Sequence, residues 1–74
     1  MKITYDKEAD AAYIYLTSHR AKVSDSREIE DGIVIDLDKE KNAVGIEILD
    51  VSHRFKPADL FQFSVQNLTE KIIV

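Results

Sequence analysis

Apolar and polar residues alternate with a period of two along most of the first fifty positions, the mark of strands buried on one side. In KITY, Ile3 and Tyr5 share a face, and after DKEAD the stretch AAYIYLT resumes the alternation. Setting Tyr5 opposite Ala12 and Ile3 opposite Ile14 brings the apolar side chains of both strands to one side. Asp6 and Asp10 suit the connection, because Asp carboxylates accept hydrogen bonds from nearby backbone N–H groups in turns. Tyr13 and Tyr15 then stand on the opposite face, placed to cover a helix or a partner subunit, or to lie half exposed.

The stretch REIEDGIVIDLD is a hairpin. A three-residue loop Glu30-Asp31-Gly32 puts Gly32 at the left-handed position such loops need and sets Ile29 opposite Ile33. A two-residue loop Asp31-Gly32 would instead pair Glu30 with Ile33 and mix the faces. The next hairpin follows with KEKN as a four-residue loop, pairing Leu37 with Val44, Ile35 with Ile46 and Ile33 with Ile48. A slip of one residue would send this set to solvent, so the pattern fixes the register. The opposite face carries Val34, Asp36, Gly45 and Glu47, with Glu28 beside Val34.

The alternation stops after Asp50. Asp50 or Ser52 is placed to cap a short helix through SHRF, and Pro57 fits the first turn of another helical segment, PADLF. In FQFSVQNLTEKIIV, Phe61, Phe63 and Val65 alternate like a strand over Phe61 to Gln66, while Ser64 with Val65, Leu68 and Ile72 fits a helix. The sum is an α+β domain: an antiparallel β-meander of about five or six strands with a short helical segment after residue 50. Residues 1–74 form one small domain.

Composition narrows the picture. The chain has 74 residues, no cysteine and a net charge of −4. A core of this size rarely gives more than about 3–5 kcal/mol, and neither disulfides nor a thiolate metal site can staple it. Oligomerisation is the remaining source of stability, so a homodimer is expected. An acidic chain has no general attraction for phosphate backbones, which argues against nucleic acid as a partner. No apolar run approaches the roughly 18 residues of a membrane span, and MKITYDKEAD lacks the apolar stretch of a signal peptide. A cytoplasmic location and no membrane contact are expected.

In order and spacing, MKITYDKEADAAYIYL, EIEDGIVIDLD and VGIEILDVSHR resemble the small prokaryotic family known as domain of unknown function 2283. The resemblance covers residues 1–54, with Val51 where alanine is usual. It implies no activity, cofactor or catalytic residue. Its short members resemble the small acidic partners that bacteria encode beside a toxin or another protein.

The candidate chemistry lies in two places. Asp50, Ser52, His53 and Arg54 are types that build nucleophilic sites, but adjacent side chains diverge and no glycine-rich turn offers an oxyanion hole. Helix capping accounts for Asp50 and Ser52, so no catalytic residue is assigned. A second SHR at Ser18-His19-Arg20 falls in a connection. Glu28, Asp36 and Glu47 share the outer sheet face, where antiparallel sheets meet solvent or where a basic protein partner would be steered by charge. No metal site or cofactor is expected. The leading expectation is an interaction module, antitoxin-like or regulatory, that binds a protein partner through the acidic face of Glu28, Asp36 and Glu47, through edge strands, or through the face of Tyr13 and Tyr15. The alternative is a small enzyme or ligand-binding domain whose site joins carboxylates to His53 or Arg54 across an oligomer interface.

Overall fold

A computed structural model describes residues 1–17, 22–60 and 62. Among these residues, five strands form one antiparallel sheet: β1 (Lys2–Asp6), β2 (Ala11–Tyr15), β3 (Asp25–Glu30), β4 (Ile33–Leu37) and β5 (Ala43–Ile48). Two single-turn helices follow, α1 (Val51–Arg54) and α2 (Pro57–Leu60). The architecture is mostly β. The strand expected over Phe61–Gln66, like the second SHR, lies outside the described residues, apart from Gln62.

The strand order is β1-β2-β5-β4-β3, which corrects the expected meander: β2 pairs with β5 and not with β3. The reason is in the strands' chemistry. β3 is DSREIE, exposed along its whole length, and a charged strand belongs at a sheet edge. β5 carries Val44, Ile46 and Ile48 and takes the centre, where apolar strands flank it on both sides.

The register follows the apolar pattern at the middle of each pair. Ile3 faces Ile14 and Tyr5 faces Ala12. Ile35 faces Ile46 and Ile33 faces Ile48. The departures lie near the hairpin loops. Glu30 pairs with Ile33 across a two-residue loop, and a register shift between Glu28 and Glu30 restores Glu28 opposite Val34. Ile29 is the bulged residue and stands 60% exposed instead of facing Ile33. At the other hairpin Leu37 pairs with Ala43 rather than Val44, again beside a bulge. Asp38 N–H donates to Asn42 O at 2.9 Å, and Lys41 adopts φ +68°, closing a tighter loop than the four residues expected. In both hairpins one extra residue absorbs the loop's geometry, so the apolar pairs farther in stay aligned.

α1 is fastened across the end of the sheet by groups distant in sequence. Val51 N–H donates to Asp10 O at 3.1 Å, and Leu49 N–H donates to Gly32 O at 2.8 Å. Val51 is fully buried. Arg54 Nε donates to Leu49 O at 2.9 Å, its Nη2 donates to Asp31 O, and its Nη1 lies 3.7 Å from Glu30. The guanidinium occupies the space a β-carbon would take on Gly32, whose φ of +84° suits glycine in any case.

The capping expectation is corrected here. Asp50 sits at the N-cap position with φ +53° but makes no side-chain cap bond, because in the left-handed region its carboxylate does not turn back to the helix. The Ser52 side chain points outward to Asp10. Asp10, from the β1–β2 turn, receives the Ser52 N–H at 3.1 Å and the Ser52 hydroxyl at 2.7 Å. The cap is supplied from 42 residues away.

The register sorts the side chains into two faces. On one, Ile3, Ile14, Ile46 and Ile35 form a row ending at Arg27, and Tyr5, Ala12, Ile48 and Ile33 form a second row ending at Glu30. Among the described residues, the buried apolar side chains are Ala12, Val44 and Val51. The other face is polar.

Candidate functional site

Two cross-strand rows make the polar face: Lys2, Tyr15, Gly45, Asp36 and Ser26, and beside them Thr4, Tyr13, Glu47, Val34 and Glu28. Sheet alternation therefore brings Tyr13, Tyr15, Glu28, Asp36 and Glu47 to one surface. His53 and Arg54 lie apart from them on α1.

Asp36 is the centre of a bonded group. Tyr13 Oη donates to Asp36 Oδ2 at 2.6 Å, and Ser26 Oγ donates to Oδ1 at 2.6 Å. Tyr13 reaches Asp36 diagonally, passing over Gly45. A β-carbon on Gly45 would collide with Tyr13 Oη, Cζ and Cε2, so the absent side chain of Gly45 is what lets the phenol lie flat on the sheet. Burial beneath its neighbours, then the bond to Asp36, pushes the Tyr13 phenol up from 10.0 to about 12. Tyr15 meets Tyr13 edge to face with ring centroids 4.6 Å apart, and Lys2 Nζ lies 4.7 Å from the Tyr15 ring centre. Glu28 and Glu47 have no hydrogen-bond or ion-pair partner among the described residues; Glu28 is exposed, and Glu47 is half-buried near the Tyr13 phenol.

The second group gathers at the end of the sheet. Asp10 accepts from Tyr5 Oη at 2.8 Å as well as from Ser52. His53 Nδ1 stands 3.9 Å from Asp10 Oδ2. The Ser52 hydroxyl, then the Tyr5 hydroxyl, hold the Asp10 carboxyl below its ordinary value, while the bond to Asp10 raises the Tyr5 phenol. Among the described residues, Asp10, Asp50 and His53 place one donor atom each within 4.8 Å of one another. Both Asp10 oxygens already accept hydrogen bonds, so this arrangement serves as a helix cap. Arg54 is spent on Leu49, Asp31 and Glu30.

Ser26, Asp10 and Tyr5 are participants that reading the sequence missed. Ser26 had a signal: Glu28 beside Val34 places Ser26 beside Asp36 two residues on. Asp10 had none, because nothing in local spacing links it to Ser52.

The model of a family described as a protein of unknown function, DUF2283, matches residues 2–52. The chain belongs to the DUF2283 family. That match takes in all five strands and the start of α1, and with them both the polar face and the Asp10–Ser52 contact. No curated protein matches the chain, and no solved structure does. Among the described residues, no helix is long and apolar enough to cross a membrane.

Proposed function

We propose that this DUF2283 chain is a non-enzymatic protein-binding module whose polar sheet face receives a basic protein partner. The observation that carries this is the division of labour on that face. Asp36 is held internally by Tyr13 and Ser26, while Glu28 and Glu47 on the neighbouring row have no hydrogen-bond or ion-pair partner among the described residues. A surface held in this way loses little conformational entropy on binding, and such carboxylates raise the encounter rate with a cationic partner. Tyr13 and Tyr15 add aromatic area of the kind enriched in protein interfaces. The net charge of −4 agrees in sign. An antitoxin-like or regulatory role, in a cytoplasmic setting, is the concrete form of this reading.

The test is capture of the partner from the native source, followed by titration of wild type and a Glu28→Gln/Glu47→Gln variant at low and high salt. Asp36 is left in place because it holds Tyr13. The expected result is weaker binding by the variant and a shallower salt dependence. Equal affinities with equal salt slopes reject the polar face as the binding surface.

A further inference from the structure

β1 stands at an edge of the sheet. Among the described residues it pairs only with β2, and each of its five residues is exposed. Even the two apolar ones are half exposed, Ile3 at 50% and Tyr5 at 47%. An edge strand turns the backbone N–H and C=O groups of alternate residues outward, a template for another strand. Proteins blunt such edges with bulges, prolines or charges. β3, the other edge, uses two of these devices: a register shift between Glu28 and Glu30 and the charged run DSREIE. β1 has no such shift. Its register with β2 is continuous from Lys2 to Asp6, and its two charges stand only at its ends.

We infer that β1 pairs edge to edge with β1 of a second copy of the chain, antiparallel about a twofold axis at Thr4, joining the two sheets into one. The order of side chains in KITYD selects that occupant: a cation, an apolar residue, a threonine, an apolar residue, an anion. Antiparallel self-pairing reverses the order. Lys2 then stands opposite the partner's Asp6, Ile3 opposite the partner's Tyr5 and Thr4 opposite the partner's Thr4, and symmetry repeats each pair. Opposite charges and aromatic with β-branched residues are the stabilising pairs directly across strands. The axis is normal to the sheet, so each face runs on into the same face of the other copy. A slip of one residue would set apolar-face side chains against polar-face ones. A slip of two in either direction sets Lys2 or Asp6 opposite the partner's Thr4 and breaks both charge pairs. Asp6 is already held at the edge, since its Oδ1 accepts the Glu8 N–H at 3.0 Å and the Ala9 N–H at 3.2 Å. Lys2 rests over the Tyr15 ring in the single chain, and its flexible stem carries the ammonium to the partner's carboxylate. A strand of another protein would need the same alternation with the charges in reverse order, and a second copy supplies both by symmetry. The joined sheet sets the two polar faces side by side on one surface, although the pairing does not rest on the binding role proposed for them.

The test uses the full chain. Sedimentation equilibrium from micromolar to near-millimolar concentration should follow the mass from the 8.5 kDa of one chain to twice that value. The twofold makes each charge pair occur twice, so Lys2→Glu alone and Asp6→Lys alone should each raise the dissociation constant about tenfold. An equimolar mixture of the two variants should associate as tightly as wild type, because both pairs then join opposite charges again. Lys39→Glu, the same change of net charge on the exposed loop between β4 and β5, should leave the constant as it is. Isotope-filtered NOEs on a mixture of labelled and unlabelled wild type should connect backbone protons of Ile3, Thr4 and Tyr5 between copies, a readout that depends on no variant's folding. A monomer throughout the range overturns the proposal, and so does a mixture that associates no more tightly than its components. Intermolecular NOEs confined to other strands, or NOEs along β1 from residues 61–74 of the same chain, also overturn it.

Discussion

Gly45 lacks a β-carbon, and Tyr13 uses the space. That single vacancy lets the phenol reach Asp36, and a residue-scale prediction follows from the geometry. Because the native state holds the Tyr13 proton more tightly than the unfolded chain does, its contribution to stability is complete below the ordinary value of 10.0. It is lost as pH climbs toward about 12. Absorbance titration of the phenolate should therefore show a late step near 12 that disappears in Tyr13→Phe. Gly45→Ala should remove the same step by displacing the ring, and should cost about 1–3 kcal/mol as an overpacked position. A late step that survives in either variant would break the assignment. Asp10 carries the opposite sign. Its lowered value means its stabilising effect is present above about 3.8 and lost as pH falls through the native value. Wild type should lose melting temperature on acidification more steeply than Asp10→Asn, and Asp10→Ala should melt lower than Ser52→Ala, since it removes the acceptor of both Ser52 bonds. The sequence put Gly45 and Asp36 on one face but did not put Tyr13 over Gly45, because a diagonal contact depends on ring direction as well as on register.

At the scale of elements, the strands were legible and their ends were not. Ile3, Ile14, Ile35 and Ile46 fixed the pairings because a slip would have exposed all of them together. Near the loops that constraint fades: Ile29 can leave the face at the cost of one residue's burial, and a bulge lets the Asp31-Gly32 turn form without disturbing Val34. Helix α1 was legible in place but not in its fastening. Capping rules look three residues ahead, whereas the cap came from Asp10 and the clasp from Arg54. The Arg54 clasp is testable. One planar guanidinium bonds carbonyls on two elements, Leu49 O and Asp31 O, which a lysine's single ammonium cannot reproduce. Arg54→Lys should lose about 1.5–3 kcal/mol in urea unfolding, the range for hydrogen bonds to a charged group. Loss of no more than a few tenths would show that the clasp is decorative.

At the scale of the whole molecule, the isoleucine rows test how stability depends on company. Fully burying an isoleucine is worth about 1.5–3 kcal/mol, and truncating a buried one to alanine costs about 2–5 kcal/mol. Ile35 and Ile46 are neither fully buried nor exposed within one chain, so a single chain realises only part of that amount. Reading the alternation alone places both in a closed core and predicts the full cost at any concentration. Their intermediate burial changes the expectation. In dilute solution, Ile35→Ala and Ile46→Ala should each cost about 1 kcal/mol, roughly half the burial value. A homodimer that covers these side chains would raise the cost toward the buried range at high concentration, because association stabilises the folded state by mass action. Under such a cover the wild-type melting temperature would climb with concentration for the same reason, and that of Ile35→Ala would climb less; pairing through β1 alone would raise both alike. Urea unfolding and thermal melts at two concentrations a hundredfold apart supply the measurement. A wild-type melting temperature that does not move, with a mutant cost equal at both concentrations, would mean that the isoleucines are satisfied within a single chain.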